Sequence, residues 1–68
     1  MRFSARNKLP GVVQSIDSDG LMAKVSLRVG DNHVVALVTA EAVSELDLKI
    51  GDEVTALIKS TSVMLAKP

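Results

Sequence analysis

The 68-residue chain contains no cysteine, tryptophan or tyrosine, a single phenylalanine, Phe3, and a single histidine, His33. Each scarcity closes a route. Without cysteine there is no disulfide to staple the fold, no thiolate ligand and no thiol nucleophile. A zinc site needs about four Cys, His or carboxylate ligands at workable spacing, and His33 beside Asp31 in a turn-like stretch reads as a solvated loop residue. One aromatic residue supplies no platform on which bases could stack. Charge of one sign is missing too, because eight Lys and Arg balance eight Asp and Glu. No overall field draws the chain to a polyanion or an anionic membrane. No apolar run approaches the ~18 residues that span a bilayer, and Met1-Arg2-Phe3-Ser4 lacks the apolar stretch of a secretory signal. The expectation is a cytoplasmic protein with neither nucleic-acid nor membrane partners, and the lack of cysteine agrees with that compartment.

The length allows one domain, spanning residues 1–68, and a domain this small buries only about 60% of the surface that its unfolded chain exposes. The usual remedies are disulfides, a structural metal or self-association. With the first two closed, a homo-oligomer is expected.

What is present is aliphatic: hydrophobic residues make up 47% of the chain, nearly all Val, Ala, Leu, Ile and Met. Residues 11–17 read as a β-branched strand that runs into the turn Ser18-Asp19-Gly20. Residues 21–29 alternate, with Leu21, Ala23, Val25, Leu27 and Val29 on one face and Met22, Lys24, Ser26 and Arg28 on the other, the pattern of a half-buried strand. After Gly30-Asp31-Asn32 comes a strand over 33–38 in which Val34 through Val38 leave neither face polar. A domain this small has too little protein to cover both, so one face is expected to meet another subunit. In 39–48 the two-residue period breaks. Thr39 fits an N-cap, Glu41 a first-turn carboxylate, and Val43 with Leu46 a helical stripe, so a short helix is expected. Residues 54–59 alternate again, and a last short strand is expected over 62–66. Pro10 should end its segment or lie on an edge. These elements give an all-β domain, a small five-stranded Greek-key barrel of the oligonucleotide/oligosaccharide-binding (OB) kind with one short helix, the alternative being an open half completed by a partner.

Catalysis has little to stand on. The single histidine lies by a turn, and the carboxylate pairs Asp17/Asp19 and Glu41/Glu45 read as solvated charge flanking a turn and on a helix face. The chain is therefore read as a non-enzyme. More informative is a set of donors free of carboxylates. Ser4-Ala5-Arg6-Asn7-Lys8 offers a hydroxyl, a guanidinium, an amide and an ammonium. Lys59-Ser60-Thr61-Ser62 offers an ammonium and three hydroxyls, and Thr39 adds a hydroxyl with backbone N–H groups at the expected helix start. A tetrahedral dianion accepts hydrogen bonds and donates none, so such a shell suits it. Polar loops at strand ends are the plainer explanation of the same residues.

The segment SARNKLPG over 4–11, with VTAEAVSELDL over 38–48, IGDEVTALIKST over 50–61 and Val63-Met64, closely resembles the molbindins, also called Mop or molybdenum-pterin-binding proteins, of the TOBE-like molybdate-binding type. The similarity covers essentially the whole chain in order. It implies an OB-like five-stranded barrel assembled as a hexamer, a trimer of dimers, with molybdate or tungstate as bound ligand at subunit interfaces. Carried onto this sequence, the anion contacts fall on Ser4 and Arg6, on Ala5 and Asn7 through backbone N–H, on Thr39, and on Lys59 with Ser60. Where several relatives carry a serine three residues after Thr39, this chain has Ala42, whose backbone N–H alone could contribute. The resemblance implies intracellular molybdenum storage and homeostasis. The alternative is a free-standing accessory or regulatory module that acts through a protein partner.

Overall fold

A computed structural model describes residues 6–68. Its four strands are β1 (Asn7–Asp19), β2 (Met22–Val29), β3 (Asn32–Thr39) and β4 (Glu53–Ile58), with one short helix α1 (Ala40–Glu45) between β3 and β4. They form one antiparallel sheet in the order β3-β2-β1-β4. Glycines at positive φ, Gly20 (64°) and Gly30 (60°), turn β1 into β2 and β2 into β3, a backbone region that side chains rarely adopt.

β1 is longer than the sequence suggested and runs straight through Pro10. Its ladder with β4 begins at Asn7 opposite Ile58, whereas the paired residues on its β2 side begin only at Val12 opposite Arg28. Pro10, opposite Thr55, thus sits where one side of the strand is free, the edge setting that a residue without an N–H tolerates. Between Val13 and Ser15 the register with β2 slips by one residue at Gln14. Such a bulge bends and twists its strand. Val13 is held there from another side, its N–H donating to the Asp52 carbonyl (2.9 Å) and its carbonyl accepting from Gly51 N–H (2.8 Å). The sheet curls into a half-barrel around Val13, Val25 and Leu27, with Ile16, Val29, Val34, Val38, Val43, Val54 and Ala56 packed against them.

The short helix expected within residues 39–48 is present as the six residues Ala40–Glu45. Thr39 is its N-cap, accepting at Oγ1 from the Ala42 N–H, and a left-handed residue, Asp47 (φ 50°), stops it. Asp47 N–H donates to the Ser44 carbonyl and Leu48 N–H to the Val43 carbonyl, both at 3.1 Å. That crossed pair is the Schellman closure of a helix end. It turns half-buried Leu48 back toward the core and frees the chain to enter β4.

The expected fifth strand does not form among the described residues. Ser60–Ser62 make a single 3₁₀ turn, and residues 63–66 follow without joining the sheet. Alternating apolar residues give a segment strand propensity, but a strand exists only where an edge is there to pair with it. The all-β class with one helix holds. The barrel is half closed.

Candidate functional site

Antiparallel pairing brings the two ends of the sequence together. Asn7 lies opposite Ile58 and Lys8 opposite Leu57, so extending the register by one residue sets Arg6 across from Lys59. Both cations are exposed. Like charges facing each other at a strand end repel, and an anion between them removes the penalty. Ser60 follows at the first position of the 3₁₀ turn, exposed, and the Lys59 side chain makes no cap hydrogen bond to that turn. Asn7 is half-buried and its Nδ2 donates to the Ile58 carbonyl at 3.3 Å. Its side-chain amide therefore latches β1 to β4 and positions its neighbours. Ser4 and Ala5 lie outside the described residues.

Thr39 and Ala42 do not join this group. Thr39 pairs with Met22, and Met22 with Asp19, which fixes Thr39 at the other end of β1 from Asn7. The 13 residues of β1 amount to about 40 Å of strand path at about 3.3 Å per residue. One subunit thus carries two half-sets of the expected donors at opposite ends of its longest strand. The Ala42 N–H, expected to stand in for a missing serine hydroxyl, already donates to Thr39 Oγ1 at 3.0 Å. The Thr39 hydroxyl keeps its own proton free to donate outward.

The cap itself is testable. Thr39→Ala removes an acceptor from the first turn of a six-residue helix and should destabilise the fold by about 1 kcal/mol, read as a lower urea midpoint at unchanged slope. Thr39→Ser, which retains the hydroxyl, should recover most of it.

An apolar hollow of about 540 Å³ on the concave side of the sheet leaves no local signature in the amino-acid order. Val34, Ala36 and Val38 of β3 face Val54, Ala56 and Ile58 of β4 across it. Each of these side chains is legible as apolar, yet that β3 and β4 are the outer strands, their outer edges unpaired among the described residues, follows only from the strand order. On the other face of β3, Val35 and Leu37 are 62% and 70% exposed. The apolar two-faced strand expected from 34–38 is present, and neither face is fully covered by the described residues. His33 is the second residue of β3, paired with Arg28, rather than lying in a loop, and it is exposed. Among the described residues no three His, Cys, Asp or Glu cluster as metal ligands would.

A four-stranded half-barrel with a short helix before its last strand, and with cations and hydroxyls gathered at one strand end, defines a small β-sheet binding module. Comparison with known proteins makes this specific. The TOBE domain family matches residues 4–65. A probable molybdenum-pterin-binding protein of Haemophilus influenzae is 44% identical over 66 residues, 96% of each chain. A molybdate-binding protein from Sporomusa ovata superposes with a TM-score of 0.94 at 40% identity, covering 98% of this chain and 100% of that one. The cytoplasmic molybdate-binding protein ModG, solved with molybdate bound, superposes with a TM-score of 0.93 at 40% identity over the whole of this chain, which spans 49% of ModG. The chain belongs to the TOBE domain family, among its molybdenum-pterin-binding, or Mop, members.

Proposed function

We propose that this chain binds molybdate, or tungstate of the same shape and charge, between the subunits of a cytoplasmic homo-oligomer, stores it, and catalyses nothing. The observation that carries the reading is the separation of the donors. Arg6, Asn7, Lys59 and Ser60 gather at one end of β1 and Thr39 with Ala42 at the other, so a complete shell drawn from both sets needs the Thr39 end of one subunit against the Lys59 end of the next. Arg6 and Lys59 supply the positive charge. Ser60, Thr39 and backbone N–H groups supply neutral donors, and Ser4 and Ala5 belong to the same shell. Tetrahedral oxyanions need no direct ligand to the metal, which agrees with a chain so poor in metal-binding side chains. The names of the relatives support the ligand, and the exposed Val35 and Leu37 of β3 support association of copies, which the resemblance to the Mop proteins implies is a hexamer, a trimer of dimers.

Linkage then follows from mass action. Ligand that binds only the assembled form stabilises it by an amount that grows with free ligand concentration. Native mass spectrometry of the intact protein, titrated with molybdate and with sulfate as control, tests ligand and assembly together. A hexamer that takes up several molybdates and ignores sulfate is expected. A monomer, or an assembly whose mass molybdate leaves unchanged, overturns the storage reading and leaves the partner-dependent module in its place.

A further inference from the structure

We infer that Asn7 is a positioning residue: it keeps the end of the β1–β4 ladder closed in the ligand-free protein, so that the anion meets Arg6 and Lys59 already placed, and it makes no contact with the anion itself. The inference rests on the anion site proposed above and deepens it by assigning the group that holds that site together.

The direction of Asn7 follows from the ladder. Val13 N–H donates to the Asp52 carbonyl and the Val13 carbonyl accepts from Gly51 N–H, so both backbone groups of Val13 turn to the β4 side. Backbone groups alternate between the two sides of a strand, and the register from Asn7 opposite Ile58 to Val12 opposite Glu53 is unbroken. Asn7, an even number of residues from Val13, therefore turns its own N–H and carbonyl toward β4, where Ile58 stands. Its side-chain Nδ2 donates to the same Ile58 carbonyl at 3.3 Å, and the two lone pairs of a carbonyl accept both donors. An N–H turned into the ladder is not offered to an anion. The backbone contact that the resemblance implies at Asn7 is thus replaced by a latch.

The end of the ladder needs one. Asn7 with Ile58 is its last pair, and on the opposite side β1 pairs with β2 only from Val12 onward. Arg6 and Lys59 lie one residue beyond that last pair, both exposed, and like charges brought close at a strand end favour separation. Frayed ends open at a free-energy cost near zero, so a single hydrogen bond changes how much of the time the end is closed. A ligand that binds only the closed end has its apparent affinity reduced in proportion to the closed fraction. Half-buried Asn7 sets that fraction.

The test compares the wild type, Asn7→Leu and Asn7→Gln as intact proteins, by calorimetric titration with molybdate and by amide hydrogen exchange without it. Leu has nearly the shape of Asn and no donor, whereas Gln retains the amide on a longer stem. Asn7→Leu is expected to weaken molybdate binding about 2- to 10-fold, the equilibrium factor of one neutral hydrogen bond. Exchange at the Ile58 amide should quicken while Val25, in the middle of the sheet, keeps its protection. The loss of affinity should match the fall in closed fraction that Ile58 reports, and Asn7→Gln should recover part of both. Weaker binding with unchanged Ile58 exchange makes Asn7 a direct contact and overturns the inference. Parental affinity in Asn7→Leu overturns it too, as does a loss of protection that extends to Val25, the mark of a support for the whole fold. A wild type that binds no molybdate defeats the storage reading and this inference with it, whereas the other adverse outcomes fall on this inference alone.

Discussion

Replacing Lys59 with alanine is expected to weaken molybdate binding by about 10- to 150-fold, because a hydrogen bond to a charged group contributes about 1.5–3 kcal/mol and each 1.4 kcal/mol is a factor of ten. Two features make the change readable. Lys59 is exposed and its side chain makes no cap hydrogen bond to the turn it precedes, so its loss should leave the melting temperature within the scatter of surface substitutions, about 0.5 kcal/mol. Lys59 and Arg6 each lie one residue beyond the Asn7–Ile58 pair that ends the β1–β4 ladder, and in the ligand-free protein removing one of two neighbouring cations relieves repulsion rather than creating it. The variant should therefore be as stable as its parent without ligand and gain much less from added molybdate. Lys59→Arg keeps the charge and should lose far less. Isothermal titration of the three proteins is the measurement, and a Lys59→Ala curve superimposable on the parent's removes Lys59 from the shell.

Gly11→Ala is expected to be the most damaging small substitution in the chain. A Cβ at this position would lie 2.7 Å from the Arg28 carbonyl oxygen and 2.9 Å from Val29 Cγ2. The first of these is backbone. It belongs to a residue locked in the ladders, since Arg28 pairs with Val12 on one side and His33 on the other, so the neighbour cannot rotate away as a side-chain tip would. Forcing an extra carbon into such a contact costs about 1–3 kcal/mol. At about 4–8 °C per kcal/mol for a domain of this size, the midpoint of thermal unfolding should fall by roughly 4–24 °C. Lys24→Ala, an exposed change on the same sheet, is the control and should move it little. A Gly11→Ala protein that melts with the parent would mean that β1 and β2 separate more readily near Arg28 than their packing indicates.

Much of this fold is legible in the order of the residues. The alternation of residues 21–29 becomes β2, with Ala23, Val25 and Leu27 as buried residues, because a strand of period two cannot hide its apolar set any other way. Thr39 caps α1 as its position before Glu41 suggests, a decision made within four residues of chain. Pro10 is expected at a strand end or an edge and lies on an edge. The helix end is less visible, because it depends on Asp47 adopting a left-handed conformation in place of the glycine that usually signals one. The segment 62–66 misleads for a different reason. Its pattern is that of a strand, but among the described residues no strand edge pairs with it.

The donors of the site divide along the same line. That Arg6, Asn7, Lys59 and Ser60 could serve an anion is evident from their chemistry and from the resemblance to the Mop proteins. Composition likewise is what raises the expectation that a chain of 68 residues without a staple gains stability from another copy. Only the tertiary structure decided that Arg6 and Lys59 flank the Asn7–Ile58 pair at one end of the β1–β4 ladder while Thr39 lies at the far end of β1, and that β3 and β4 stand apart around an open apolar hollow. Turns, caps and alternation are set by residues within a few positions of one another, so local sequence contains them. Which strand edges meet, and which are left free, depends on the register between distant segments, as Asn7 with Ile58, 51 residues away, and on a bulge at Gln14 that no local pattern announces.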